Sequence, residues 1–340
     1  MSVAILRPDE LKGLRAYLIG AGETVDGDLR SSLIAGGRSN LTYLLTDGER
    51  RWVLRRPPRA GLTPSAHDMG REYRVTHALQ STGVPVARTV GLDESATLLD
   101  SSFAIVEFVD GRTIRSAADL AVFQDSEVGA SVESLVEVLA ALHSVDHVAV
   151  GLEKFGRPDG YAQRQLRRWS GQWEHVMPNH VPDAESLLGK LMDTAPTSGR
   201  TAIVHGDFRI DNTIVDSEDP SVIRALVDWE LSTIGDPVGD VAMMCVYRHP
   251  ALNDILGVDA AWTSDRLPDQ DDLAALYEKI SGNSLDHWDF FLALAYYKLA
   301  VIAQGIEFRL RAGAAASEGS EGAGDAVPRL LAAGLQVMAR

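Results

Sequence analysis

The sequence predicts an α+β protein with two lobes, a β-rich N-terminal lobe at residues 1–108 and a mostly helical C-terminal lobe at residues 109–340. Two observations lead to this prediction. Short aliphatic runs bounded by glycine, proline and polar turns fill the first hundred residues, as is typical of strands. From about residue 110 onward, apolar residues recur at helical spacing.

The N-terminal lobe is predicted to begin with a short helix over residues 10–20. Residues 33–45 and 51–56 are predicted strands, separated by a polar turn, and Pro57 ends the second of them because proline removes a ladder donor. The remaining predicted elements of this lobe are a helix over residues 66–80 and strands over residues 84–90 and 104–109.

The C-terminal lobe is predicted to contain helices joined by short strands and polar loops. Residues 128–143 place five aliphatic side chains on one face, which indicates a core helix. The other predicted helices cover residues 273–280, 288–309 and 327–339, and one more begins at Val241. The predicted strands are residues 203–207, 213–215 and 223–228, and residues 312–326 are a predicted loop.

Composition excludes some classes of partner. With 45% hydrophobic residues among 340, the chain can bury a sizeable core. The net charge of −16 argues against nucleic acid, whose backbone requires a basic surface. The longest apolar segment contains Lys298 and Gln304 and is predicted to be a buried helix, so no membrane partner is expected. A single cysteine, Cys245, fits a reducing compartment, and we expect a cytoplasmic protein.

The strongest functional signal is the run His-Gly-Asp-Phe-Arg-Ile-Asp-Asn at residues 205–212, followed by Val-Asp-Trp-Glu at residues 227–230. A carboxylate at Asp207 is suited to orient a hydroxyl nucleophile and accept its proton. Asn212 and Asp228 supply the hard oxygen ligands that Mg²⁺ prefers. Arg209 is a candidate to offset the charge of a phosphoryl group in transfer. The alternative is a capped loop whose acids are only solvated.

These motifs resemble the catalytic loop of the protein-kinase-like superfamily, in its aminoglycoside phosphotransferase and choline kinase branch. That branch has His-Gly-Asp and Asp-Trp-Glu where protein kinases have His-Arg-Asp and Asp-Phe-Gly. The resemblance implies a two-lobed protein-kinase-like fold, ATP and Mg²⁺ as cofactors, and a small-molecule hydroxyl acceptor. It also implies that Asp240, in the segment 235–240, braces the catalytic loop. No activation segment of the protein-kinase type follows, so a protein substrate is not expected.

The N-terminal lobe contains candidate nucleotide-binding residues. In the loop at residues 36–40, the backbone of Gly37 and the side chains of Ser39 and Asn40 are suited to hold phosphates, although a hairpin turn explains these residues equally well. The third glycine of the protein-kinase loop is absent.

Strand alternation places two further candidates, Val53 and Arg55, on one face of the strand at residues 51–56. Arg55 stands where kinases carry a phosphate-binding lysine, and Glu72 on the next helix is its predicted partner. An ordinary surface position is the alternative for Glu72. The resemblance also assigns the main chain of Glu107 and Val109 to an adenine-binding hinge, for which an edge strand is the alternative.

The acceptor is less well defined by the sequence. Arg164 and Arg168 share one helical face within residues 161–173, as do Trp169 and Trp173, and Glu230 is a further candidate acceptor residue. A solvated arginine face with tryptophans in the core is the alternative.

The resemblance favours a particular class of acceptor. The segment at residues 161–173 is most similar to the branch that also occurs fused to acyl-CoA dehydrogenases, which is associated with hydroxy acids or hydroxyacyl thioesters. The alternatives are an aminoglycoside or amino-alcohol kinase and a nucleotide-binding protein without turnover.

Overall fold

The computed structural model describes residues 6–36, 40–57, 68–313 and 320–340. The chain divides into two compact units, residues 1–110 with 224–230, and residues 111–223 with 231–340. The predicted fold class is confirmed, because the first unit contains a five-stranded sheet and the second is mostly helical. The predicted boundary after residue 108 stays a prediction. Residues 224–230, which the sequence analysis included in the second lobe, belong to the first unit.

The described strands are short, and most lie in the first unit. They are β1 Arg30–Gly36, β2 Leu41–Thr46, β3 Arg51–Arg56, β4 Thr89–Asp93, β5 Phe103–Glu107, β6 Ala202–Val204, β7 Thr213–Val215, β8 Ile223–Leu226 and β9 Thr233–Gly235. The described helices are α1 Pro8–Gly20, α2 Met69–Leu79, α3 Ala117–Leu120, α4 Asp125–Ser144, α5 Tyr161–Val176, α6 Pro182–Thr194, α7 Pro237–Val246, α8 Ala251–Leu256, α9 Gln270–Ser281, α10 Trp288–Arg311 and α11 Ala323–Val337.

The sheet of the first unit has the order β1-β2-β3-β5-β4, with each neighbouring pair antiparallel. Alternation along β3 buries Trp52 and Leu54 in the core and leaves Val53 and Arg55 half-buried on the opposite face, as predicted. Helix α2 begins where the Asp68 carboxylate accepts the backbone N–H of Arg71, an N-cap that fixes the first helical turn.

The core of the second unit is built around α10, which packs against α5, α6, α7 and α11. Within the described residues, α10 is long and apolar enough to cross a membrane by length and composition, but 83% of its most apolar stretch is buried in the protein. This burial agrees with the core helix predicted for the segment. Lys298 lies within that buried stretch.

Some elements differ from their predicted bounds. The strand run at residues 33–45 is two strands, β1 and β2. The strand predicted at residues 84–90 begins only at Thr89, and Val86 makes an isolated bridge with Leu226. Helix α7 starts at Pro237, ahead of the predicted Val241, because the Asp236 side chain caps it and proline is favoured in the first turn.

Candidate active site

The candidate catalytic loop of the second unit runs from β6 to a short 3₁₀ helix, Ile210–Asn212. Gly206 adopts the left-handed conformation, with φ of +84°. A Cβ atom at this position would lie 2.7 Å from the carbonyl oxygen of Leu231, so a side chain is excluded by both conformation and space. The glycine therefore allows the sharp turn that precedes Asp207.

Asp240 holds the backbone of this loop from α7. Its two carboxylate oxygens accept the N–H groups of His205 at 2.5 Å and Gly206 at 2.7 Å. Oδ2 also lies 3.2 Å from Nε2 of His143. Burial alone would raise the pKa of Asp240, but the His143 hydrogen bond, the His143 and His205 charges and the backbone N–H lower it. The predicted bracing of the loop by Asp240 is confirmed.

The Asp207 carboxylate is held at both oxygens. The Tyr247 hydroxyl donates to Oδ1, and the Asn212 side-chain amide donates to Oδ2 at 3.0 Å. Burial would raise the pKa of Asp207, but the Arg209 charge, the Tyr247 hydrogen bond and the more distant Lys298 charge outweigh it, so the pKa is lowered. The side chain is therefore an oriented, ionised acceptor, as its predicted role requires.

Asn212 is buried and is oriented by the loop itself. Its Nδ2 donates to the Asp207 carbonyl at 2.8 Å as well as to the Asp207 carboxylate. Because the amide nitrogen is committed to Asp207, the carbonyl oxygen Oδ1 points away from that residue. A hard oxygen donor is the group that Mg²⁺ requires, so the donor chemistry of Asn212 fits the predicted role as a metal ligand.

Arg209 is engaged with its own loop. Its Nη1 lies 2.9 Å from an Asp211 oxygen, its Nε lies 3.5 Å from Asp207 Oδ1, and its guanidinium stacks 5.2 Å from the centre of the Tyr247 ring. Burial raises the pKa of Asp211 although Arg209 opposes this effect. The structure therefore places Arg209 against the Asp207 carboxylate, and contact with a phosphoryl group stays a prediction.

The first unit contains the predicted ion pair. Arg55 Nη1 lies 2.6 Å from Glu72 Oε2, and the Asn40 amide donates to Glu72 Oε1 at 3.3 Å. Burial raises the pKa of Glu72, with Asp228 adding to that effect and Arg55 opposing it. Glu72 is buried, so the alternative of an ordinary surface glutamate is excluded. Gly37 and Ser39 lie outside the described residues.

Asp228 also belongs to the first unit and has an unusual backbone. It follows β8 by two residues and adopts φ of +66°, a left-handed conformation that is uncommon for a residue with a side chain. Its Oδ1 lies 3.9 Å from Arg55 Nη2, and 39% of its side chain is exposed. Such strain often accompanies functional sites, and an exposed carboxylate beside Arg55 fits the predicted metal ligand.

The predicted hinge residues lie at the end of β5. The backbone N–H of Glu107 donates to the Arg88 carbonyl at 2.8 Å, and the Glu107 carboxylate accepts from Arg88 Nε at 2.8 Å. Val109 follows two residues later and is half-buried. An adenine contact by either residue stays a prediction.

The predicted acceptor residues on α5 have separate environments. Arg164 donates to the carbonyls of Asp159 and Arg157 and so caps the turn before the helix. Arg168 is exposed and lies over the Trp169 ring at 5.4 Å. Both Trp169 and Trp173 are buried, as the core interpretation predicted. The fifth candidate, Glu230, is half-buried, lies in the 3₁₀ helix Trp229–Leu231 and belongs to the first unit.

Two residues that contact the loop were missed by sequence reasoning, Tyr247 on the turn after α7 and Lys298 on α10. Lys298 donates to the Gly206 carbonyl at 2.8 Å. The signal for it was present, because a single cation within the apolar segment at residues 290–306 requires an explanation. Nothing near Tyr247 in the sequence marks it, since its partner Asp207 lies 40 residues earlier.

Known proteins share both sequence and fold with this chain. The sequence profile of the phosphotransferase enzyme family matches residues 31–277. Acyl-CoA dehydrogenase family member 11 of Rattus norvegicus is 34% identical over 343 residues, which cover 97% of this chain and 43% of that protein. The chain thus spans less than half the length of this curated relative.

Solved structures extend the likeness. A crystal structure from Ralstonia eutropha JMP134, assigned as an aminoglycoside phosphotransferase, is 32% identical with a TM-score of 0.84, over 96% of this chain and 98% of its own. A ternary complex of aminoglycoside phosphotransferase APH(4)-Ia with ADP and hygromycin B is 15% identical with a TM-score of 0.58. It covers 96% of this chain and 97% of its own, and its likeness is one of fold alone.

Proposed function

This chain belongs to the phosphotransferase enzyme family and is a small-molecule kinase, and on that premise we propose that it transfers the γ-phosphoryl group of Mg-ATP to a hydroxyl of a hydroxy acid or hydroxyacyl thioester. The observation that carries the proposal is the Asp207 carboxylate, ionised and held at both oxygens by Tyr247 and Asn212. The alternative interpretation, a capped surface loop with solvated acids, does not require a carboxylate that is held at both oxygens.

In this proposal, each unit supplies residues with a different chemical role. Asp207 accepts a hydrogen bond from the acceptor hydroxyl, orients its oxygen for in-line attack and receives its proton. As the new bond from that oxygen to the γ-phosphorus forms, the bond from the γ-phosphorus to the β,γ-bridging oxygen breaks and ADP leaves with the electron pair. Arg55, held by Glu72, binds phosphate oxygens through its planar fork. Asn212 and Asp228 would hold Mg²⁺, which when bound neutralises charge on the phosphate oxygens.

The acceptor class is supported by the relatives. The curated relative described above is an acyl-CoA dehydrogenase family member, and this chain corresponds to 43% of its length. A kinase segment in a protein of that name favours an acceptor that carries an acyl or carboxylate group. Arg164 and Arg168 are the two arginines of α5 proposed to bind such a group. Because Arg164 donates to backbone carbonyls, Arg168 is the one of the two whose side chain is exposed.

The test is ADP formation from Mg-ATP, screened over hydroxy acids, hydroxyacyl-CoA thioesters, amino alcohols and aminoglycosides. The proposal expects turnover with a member of the first two classes and a phosphorylated product by mass spectrometry. Turnover confined to aminoglycosides or amino alcohols would show that the acceptor belongs to one of those two classes instead. Binding of Mg-ATP with no product from any class would favour a nucleotide-binding protein without turnover.

Replacement of Arg55 by methionine is expected to weaken Mg-ATP binding about 10- to 100-fold, because a hydrogen bond to a charged group contributes about 1.5–3 kcal/mol. Titration calorimetry with Mg-ATP measures this loss directly. Arg167→Met, at an exposed position on α5, is the matched control and is expected to bind as the wild type does. Equal affinity in Arg55→Met and wild type would exclude Arg55 from phosphate binding.

Replacement of Tyr247 by phenylalanine is expected to lower kcat roughly tenfold, because it removes one hydrogen bond to the charged Asp207 carboxylate. The same bond lowers the pKa of Asp207, so its loss raises that pKa toward the ordinary range. The acidic limb of the kcat profile should then move to higher pH. A tenfold loss with an unmoved acidic limb would show that Tyr247 acts only through packing.

A further inference from the structure

We propose that Lys298 is a positioning residue for Asp207, which uses its ammonium group to hold the carbonyl of Gly206 and so fixes the peptide group that leads into Asp207. The inference rests on the proposed phosphotransferase function and deepens it, because it assigns a role at that site to a residue that the catalytic motifs do not contain.

The contacts of Lys298 carry the first step. Its ammonium donates to the Gly206 carbonyl at 2.8 Å, across 92 residues of sequence, and lies 5.4 Å from the centre of the Trp169 ring. Gly206 is the residue immediately before Asp207, and its N–H is held by Asp240. Lys298 and Asp240 therefore fix the two peptide groups on either side of the Gly206 Cα atom.

The surroundings of the ammonium carry the second step. Only 8% of Lys298 is exposed, and the charged groups that face it are Asp207 from the loop, Asp240 from α7 and Arg168 from α5. Burial lowers the pKa of Lys298 to about 8, although the two carboxylates oppose that effect. The lysine is therefore mostly charged at neutral pH and loses its charge in the mildly alkaline range.

The energetic cost of this lysine indicates a function beyond packing. A methionine would fill the same space beside Leu294 and Ala295 without the desolvation penalty of a buried cation. A cavity of about 30 Å³ adjoins the ammonium and is lined by Trp169, Gln165 and Met243. Its volume is enough for a water molecule.

The first test is steady-state kinetics of Lys298→Met with the acceptor that the screen identifies, and with water as acceptor in parallel. We expect kcat at pH 7 to fall about 10- to 100-fold, with the acceptor KM within about twofold of the wild-type value. Lys279→Met, at an exposed position on α9, is the matched control. An unchanged kcat, or a rise in KM alone, would overturn the proposal, the second by making Lys298 an acceptor-binding residue.

The pH profile supplies a readout that a purely structural lysine would not move. Wild-type kcat should decline as pH rises through about 8, where Lys298 loses its proton. Lys298→Arg, which keeps its charge, should recover activity relative to Lys298→Met and lack this decline. A decline at the same pH in Lys298→Arg would assign it to another group and overturn the proposal.

The second test needs no turnover. A double-mutant cycle measures the free energy of unfolding for Lys298→Met, Asp207→Asn and the combined variant, and we expect non-additive effects because the two side chains interact. The control cycle pairs Lys298→Met with Asp193→Asn, at an exposed position on α6, and should be additive. Additivity in the first cycle would overturn the role of Lys298. Absence of ADP formation in wild type, with coupling intact, would instead refute the proposed function.

Discussion

Asp207→Asn is expected to lower kcat about 10²- to 10⁴-fold, the usual contribution of a positioned general base. The amide keeps the size of the side chain and one acceptor oxygen, but it is not ionised and accepts no proton from the acceptor hydroxyl. The Tyr247 and Asn212 donors then face a side chain that carries a donor of its own. ADP formation at saturating Mg-ATP and acceptor measures the loss.

Two controls separate chemistry from folding for this variant. Asp193→Asn makes the same chemical change at an exposed position and should retain wild-type kcat. Calorimetric titration should show that Asp207→Asn still binds Mg-ATP, because the phosphate ligands proposed for the first unit are unchanged. A kcat within about threefold of wild type would remove Asp207 from the mechanism, and with it the observation on which the proposed function rests.

The parts of the fold that the sequence predicted are those whose signal is local. Helix α4 was predicted within three residues at its N-terminus because five aliphatic residues at helical spacing mark one face between residues 132 and 142. Helix α7 is buried on nearly every side, so it has no polar face to reveal its period, and its start was placed too late. The strand after residue 84 was predicted too early because an apolar run does not show which of its residues find a ladder partner.

The same difference between local and long-range signals explains which residues of the candidate site were predicted. Asp207, Arg209 and Asn212 stand within six residues, so their spacing is visible in the sequence. Tyr247 and Lys298 reach the loop from 40 and 92 residues away, and only tertiary packing brings them there. The Arg55–Glu72 pair was predictable despite its separation because the resemblance to kinases implies a phosphate-binding cation on this strand and an acidic partner on the next helix. Sequence therefore identified the candidate catalytic residues of the loop more readily than the side chains that hydrogen-bond to the loop.

The loop is held by four side chains that act on different atoms. Asp240 accepts two backbone N–H groups, Lys298 donates to a backbone carbonyl, and Tyr247 and Asn212 donate to the Asp207 carboxylate. These hydrogen bonds come from α7, the turn after it, α10 and the loop itself. A shift of α7 or α10 would therefore move Asp207. Preorganisation of this kind lowers the cost of orienting the reacting groups in the transition state.

Asp240→Asn is expected to destabilise the folded protein by about 3–5 kcal/mol, the usual cost of removing one partner from a buried charged network. An amide has one acceptor oxygen for the N–H groups of His205 and Gly206, and its own NH₂ group would face one of them or His143. Chemical denaturation at neutral pH measures the loss, and Asp193→Asn is the exposed control, expected to change stability by less than about 0.5 kcal/mol.

The change in folding stability with pH is a second test of the role of Asp240. Because the pKa of Asp240 is lowered in the folded protein, the unfolded state binds more protons once pH falls below the ordinary aspartate range near 3.9. The stabilisation from Asp240 is therefore complete at neutral pH and is lost as pH falls through its folded-state pKa. Wild type should lose more stability in acid than Asp240→Asn does, so the two denaturation midpoints should converge. Parallel curves would mean that Asp240 is not held ionised and that its clamp on Gly206 contributes by hydrogen-bond geometry alone.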